Sequence, residues 1–244
     1  MTSQRVSHDG GGDVADPMPT VETRRAAAAF YDLDGTLCSS NIVHAYSFYA
    51  RNQPSLLGSV LRTTSLIASI PFFMAADAYS RKVFNEIFYR RYKGESEDRL
   101  KILAQEGFDE VVKPTIFKQA YAMIRQSRAA GYRQVLVTGA LDILAEPVAR
   151  HLGMDAFVAN ELEFVDGYCT GRIKPPLLAG ATKAAWIRRH AREHGLDLEQ
   201  CLAYSDSMSD FPMLAAVGKP AVINPDRQLR VEAKASDWPI LNFS

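Results

Sequence analysis

Cysteine is scarce in this chain of 244 residues. Cys38, Cys169 and Cys201 are few, odd in number and far apart. They supply neither a disulfide framework nor a CxxC zinc pattern, which suits a reducing compartment. A surplus of charge is missing too. Lys and Arg total 28, and so do Asp and Glu, so a general nucleic-acid-binding surface is not implied and no nucleic-acid partner is expected. Long apolar runs are also absent. Residues 63–76 carry no charge, but Arg62, Pro71 and Asp77 interrupt any longer window, and a spanning helix needs about eighteen residues or more. Internal repeats and low-complexity tracts are lacking. What is present is globular: 47% hydrophobic and 23% charged residues, enough for a real core.

Residues 1–24 contain Gly10-Gly11-Gly12 and almost no large apolar side chain. There is no apolar h-region, and Asp9, Asp13, Asp16 and Glu22 disfavour a transit peptide. We expect a disordered tail and a cytoplasmic protein.

Order is expected from Ala26 onward. The run Ala26-Ala27-Ala28-Ala29-Phe30-Tyr31 leads into Asp32-Leu33-Asp34-Gly35-Thr36 and reads as a buried parallel strand, although alanine favours helix. Gln134-Val135-Leu136-Val137 runs into Thr138-Gly139, Cys201-Leu202-Ala203-Tyr204 into Ser205-Asp206, and Pro220-Ala221-Val222-Ile223 into Asn224-Pro225 in the same way. Helical patterns lie between them, over 115–130, 182–194 and 209–217. Alternating strands and helices predict an α/β fold with a parallel sheet. Asp166-Gly167 between two alternating segments predicts a small β-hairpin. Residues 42–112 carry no convincing strand and read as a helical insertion above the sheet's carboxyl edge. The core is then 25–41 and 113–244.

Ligands of open α/β sheets bind outside the carboxyl ends of the strands. Asp32, Asp34, Thr138, Gly139, Asp206 and Asp210 follow predicted strands, and Lys183 opens a helix. Four carboxylates at one edge repel unless a cation neutralises them, and oxygen-only ligands select a hard ion, by default Mg²⁺. Thr138, the Gly139 amide and Lys183 suit a phosphate. Asp32 has the chemistry to attack phosphorus, and Asp34 to protonate the leaving alcohol and then activate water.

Taken in order, Asp32-Leu33-Asp34-Gly35-Thr36, Thr138, Lys183 and Asp206-x-x-x-Asp210 resemble the four motifs of the haloacid dehalogenase superfamily. The long insertion after the first motif resembles a C1 cap, as in phosphoserine phosphatases. The resemblance implies a Rossmann-like core and a Mg²⁺-dependent phosphomonoesterase working through an aspartyl-phosphate. It implies Asp32 as nucleophile and metal ligand and Asp34 as acid and base. Thr138, Gly139 and Lys183 would hold the phosphoryl group, and Asp206 and Asp210 would serve the metal. The backbone carbonyl it implies for Mg²⁺ is that of Leu33, or of Asp34 should Leu33 fail. Where phosphoserine phosphatases carry Glu nine residues after the nucleophile, this chain has Asn41, a substrate-binding candidate without the charge to meet an ammonium.

Two other classes compete. One is a non-catalytic module that only binds a phosphorylated ligand, which would not need both Asp32 and Asp34. The other is a zinc hydrolase built on His190-Ala191-Arg192-Glu193-His194, an H-x-x-E-H pattern that Gly195 cuts short. The insertion also has two readings: ordinary core helices, or a lipid-facing surface with peripheral membrane contact. Arg81, Lys82, Arg90, Arg91 and Lys93 against Glu86 favour the second, or a lipid-like or small phosphate ester as substrate.

Overall fold

The computed structural model describes residues 26–244. The tail expected over 1–24 lies outside the described residues. Strand β1 (Ala28–Tyr31) is followed by helices α1 (Ile42–Arg51), α2 (Leu56–Tyr79), α3 (Arg81–Tyr89), α4 (Glu97–Gly107) and α5 (Lys118–Ala129). Next come β2 (Arg133–Leu141), α6 (Asp142–Leu152), β3 (Ala156–Asn160), the strands β4 (Leu162–Val165) and β5 (Tyr168–Ile173), and α7 (Ala181–His194). The chain ends with β6 (Leu202–Ser205), α8 (Phe211–Leu214), β7 (Lys219–Ile223), α9 (Arg227–Ala235) and β8 (Ile240–Leu241).

Six strands form one sheet in the order β3-β2-β1-β6-β7-β8, all neighbours parallel. The fold is the expected α/β class. The period of two sorts each strand between two cores. Ala28 and Phe30 of β1, Val135 and Val137 of β2 and Val222 of β7 face one layer, packed with Ile187 of α7 and Leu229 of α9. Ala29, Tyr31, Leu136 and Ile223 face the other, with Ile124 of α5 and Val148 of α6. This explains the alanines. In the middle of a doubly covered sheet, burial on both faces overrides the helix preference of Ala, and a small side chain lets the helices approach. Tyr31 is stacked on Tyr204 of β6 at 5.2 Å, and its hydroxyl bonds the Gln134 amide oxygen at 2.7 Å.

The Asp166-Gly167 hairpin forms, β4 pairing antiparallel with β5. Strands β3 and β8 carry no clear signal in the sequence. β3 is an edge strand whose faces are mostly half-buried, and β8 has two residues, so neither shows an apolar run. β2 runs on to Leu141 instead of ending at Thr138, with an irregularity in its pairing with β3 between Val137 and Leu141.

Helices α1–α4 share a third core in which Tyr46, Tyr49, Phe88, Tyr89 and Tyr92 meet edge-on or tilted. α2 departs from the expectation of interrupted apolar sequence. It runs unbroken for 24 residues through Arg62 and Pro71. Pro71 lies on the exposed side of the helix, where water can meet the Ile67 carbonyl that its missing N–H leaves unpaired. By length and composition Leu56–Asp77 is long and apolar enough to cross a membrane, with a mean hydropathy of 1.4.

Candidate active site

β1 and β6 are neighbours, so the residues that leave their carboxyl ends converge. The backbone after β1 turns at once. The Leu33 carbonyl accepts from the amides of Thr36, Leu37 and Cys38 at 3.2, 2.9 and 3.3 Å, and Gly35 adopts φ +80°. A Cβ on Gly35 would lie 2.1 Å from Oδ2 of Asp206, so only glycine lets the loop meet that carboxylate. Thr36 donates its hydroxyl to Oδ1 of Asp206 at 3.2 Å.

Lys183, the third residue of α7, is 4% exposed and bridges two carboxylates. Its Nζ donates to Oδ1 of Asp32 and to Oδ2 of Asp210, each at 2.7 Å. Ser205 also donates to Oδ2 of Asp210, at 2.9 Å. The chain thus joins residues 151 positions apart in one buried ion triad. Asp32, Asp34, Gly139, Lys183 and Asp210 line one cleft with Arg81 and Asn85 of α3.

The electrostatics follow from crowding. Burial pushes the Asp34 carboxyl up to about 7; the neighbouring Asp32 adds to the shift, while Arg81 and Lys183 oppose it. Burial, with Asp32 and Asp210, lifts Asp206 to about 8. Asp32 is raised by burial despite the Lys183 charge. Burial alone would lower Lys183, but Asp210 and Asp32 hold its ammonium above the ordinary lysine range. A divalent cation would relieve every one of the raised carboxyls.

The donor set fits Mg²⁺, because all of it is oxygen and most of it is anionic. It also corrects one expectation. The Leu33 carbonyl is spent on three amides inside the turn and is not available to a cation. The Asp34 carbonyl accepts no hydrogen bond among the described residues.

The remaining expected residues are placed as follows. Thr138 is buried, and its hydroxyl accepts from the Ala140 amide at 3.0 Å. Gly139 reaches the cleft, its carbonyl held by the Tyr89 hydroxyl at 2.7 Å and the Asn160 amide at 2.8 Å. Asn41 is not in the carboxylate cleft. It caps α1, its side-chain oxygen accepting from the amides of Val43 and His44, and it lines an adjoining groove. His190, Glu193 and His194 do come together, their ligand atoms within 4.8 Å of one another. They sit at the far end of α7 from Lys183, with the His190 ring stacked on Trp186.

Sequence reasoning missed Asn85, Tyr89, Asn160 and Ser205. Asn160 alone had a legible signal, a polar residue closing an apolar-leaning segment.

The model of the haloacid dehalogenase-like hydrolase family matches residues 29–215. The chain belongs to that family. It is an enzyme of this hydrolase class, and phosphatases are among its named relatives. It is 36% identical over 222 residues to the "Inhibition of morphological differentiation protein" of Streptomyces azureus, covering 88% of this chain and 78% of that one. It is 34% identical over 236 residues to the phosphoserine phosphatase SerB1 of Mycobacterium tuberculosis (strain ATCC 25618 / H37Rv), covering 94% and 74%. A solved phosphoserine phosphatase carrying an analogue of a phospho-aspartyl intermediate shares the fold, with a TM-score of 0.68 over 90% of this chain and 94% of the other at 18% identity.

Proposed function

We propose that this protein is a Mg²⁺-dependent phosphomonoesterase in which Asp32 takes the phosphoryl group. The observation that carries the reading is the buried Asp32–Lys183–Asp210 triad beside Asp34 and Asp206. Lys183 holds the Asp32 carboxylate in one orientation, and Asp210, fixed by Ser205, holds Lys183.

An Asp32 carboxylate oxygen attacks phosphorus and the bond to the ester oxygen breaks. The departing alcohol takes the proton of the Asp34 carboxyl, which burial keeps partly protonated near neutrality. Asp34, now a carboxylate, removes a proton from water. The hydroxide attacks phosphorus, the bond to Asp32 breaks, and inorganic phosphate leaves. Lys183 and the Gly139 amide would meet the phosphoryl oxygens. The carboxylates of Asp32 and Asp206 and the Asp34 carbonyl would hold Mg²⁺, while Asp210 anchors Lys183. When bound, the ion neutralises phosphoryl charge and lowers the repulsion between carboxylates.

We read α1–α4 as a cap over this cleft, contributing Arg81 and Asn85. A cation at that position suits an ester whose leaving group is neutral or anionic. Phosphoserine, on which a relative's name rests, remains within the class. The three buried free cysteines suit the cytoplasm.

The test is phosphate release from an aryl phosphate, with Mg²⁺ or EDTA, by wild type and Asp32→Asn. Release that needs Mg²⁺ and falls by about a thousandfold or more in the variant is expected. Undiminished release by Asp32→Asn would refute the mechanism.

A further inference from the structure

α2 buries Leu66, Phe73 and Ala76 but is apolar on its outer side as well. Its two charged residues are turned toward the protein body. Arg62 pairs with Glu95 at 2.5 Å and donates to the Tyr49 hydroxyl, and Asp77 lies 3.1 Å from Arg81. The opposite face shows Leu56, Leu57, Val60, Leu61, Ile67 and Met74, each more than half exposed. At 3.6 residues per turn these six fall within about 140° of the helix circumference. Soluble monomers rarely leave so large an apolar surface uncovered.

The surface continues into the molecule. Ile70, Phe73 and Met74 of α2, with Val43 and Phe84, line a groove that shares Ile42 and Arg81 with the carboxylate cleft. A groove with an apolar side and a polar side of Asn41, His44, Asp77 and Arg81 therefore joins the exposed helix face to the cleft around Asp34.

Three occupants compete for the face. A transmembrane path is excluded by connectivity. The chain enters α2 from α1 and leaves it into α3, and both pack with α2 in one core, so both ends lie on one side. A second copy of the chain is disfavoured by charge. Of the seven basic side chains over residues 51–93, Arg62 and Arg81 are paired with Glu95 and Asp77, which leaves Arg51, Lys82, Arg90, Arg91 and Lys93 against Glu86. A symmetric dimer through α2 would set that surplus against itself. An anionic bilayer accepts both the apolar face and the positive surplus.

We propose that α2 seats the protein in the plane of an anionic lipid surface, and that the groove receives the apolar chain of a phosphate monoester whose phosphate reaches Asp32. The second half rests on the phosphatase reading above. The first half stands without it.

The experiment pairs vesicle sedimentation with turnover. Wild type and Leu57→Glu/Leu61→Glu are spun with vesicles of phosphatidylcholine alone or with phosphatidylglycerol added, and phosphate release is measured from aryl, ethyl and octyl phosphate. Wild type should sediment with the anionic vesicles and be released by salt. The double variant should lose binding by about tenfold or more, with aryl phosphate turnover unchanged because neither residue lines the cleft. Octyl phosphate should exceed ethyl phosphate in kcat/KM by about tenfold or more. Equal vesicle binding by the variant, or none by wild type, overturns the lipid surface. A wild-type dimer that the variant dissociates overturns it in favour of a second copy. Equal turnover of the two alkyl esters overturns the groove. Vesicle binding without turnover of any ester supports the surface and fails the phosphatase reading alone.

Discussion

Replacing Lys183 by methionine keeps most of the side chain's length and removes its charge. In the native fold the ammonium is 4% exposed and donates at 2.7 Å to both Asp32 and Asp210. Without it, Asp32, Asp34 and Asp210 line a cleft whose one other cation among the lining residues is Arg81, itself 3.1 Å from Asp77. Removing one partner of a buried ion pair costs about 3–5 kcal/mol, because the charge left behind stays buried and uncompensated. For a chain of this size each kcal/mol shifts Tm by about 2–4 °C, so Lys183→Met should lower Tm by about 6–20 °C. The measurement is thermal unfolding in EDTA followed by circular dichroism. The origin of the loss is tested by pH. Near pH 5 Asp34 and Asp206 hold protons, so the repulsion that Lys183 offsets is smaller and the difference should shrink. A drop of under about 3 °C at neutral pH, or one that does not shrink in acid, would show that the triad does not carry this stabilisation.

Three further outcomes follow from the same geometry. Gly35→Ala must place a Cβ 2.1 Å from the Asp206 carboxylate at φ +80°, so Asp206 moves; Mg²⁺ binding by calorimetry should weaken by about tenfold or more, with a backbone cost of about 1–2 kcal/mol. Arg81→Gln should lower kcat/KM for the aryl phosphate by about 10–100-fold, the worth of one charge-assisted hydrogen bond, with Tm little changed. Asp34 and Asp206 are raised to about 7 and about 8 in the metal-free fold, against a carboxylate value of 3.8. Between those limits the folded chain holds protons that the unfolded chain has released, so metal-free stability falls as pH rises from about 4 to about 8. Mg²⁺ should therefore raise Tm more at about pH 8 than at about pH 5, and an equal shift at both would contradict the crowding.

Local sequence determined a great deal here, because strand ends, glycines and carboxylates are read one segment at a time. Asp32 and Asp34 after an apolar run, Asp206 after another, and Asp166-Gly167 between alternating segments each carry their signal within a few residues. The α/β class and the list of carboxylates followed from them. Which carbonyl remains free for a cation did not follow. That depends on the turn in which Leu33 accepts three amides, and a three-dimensional hydrogen-bond pattern leaves no mark on composition. Asn41 stood at the expected spacing, yet the start of α1 claimed its side-chain oxygen as a cap. Arg81 and Asn85 reach the cleft only because α3 folds back over the sheet, across about fifty residues of chain from Asp34. The direction of the α2 apolar face was likewise settled by packing. The sequence showed an apolar segment with two charges, and only the fold turned those charges inward and left Leu56, Leu57 and Leu61 facing out. Contacts between distant segments depend on where the whole chain places them, so they are decided by tertiary structure alone.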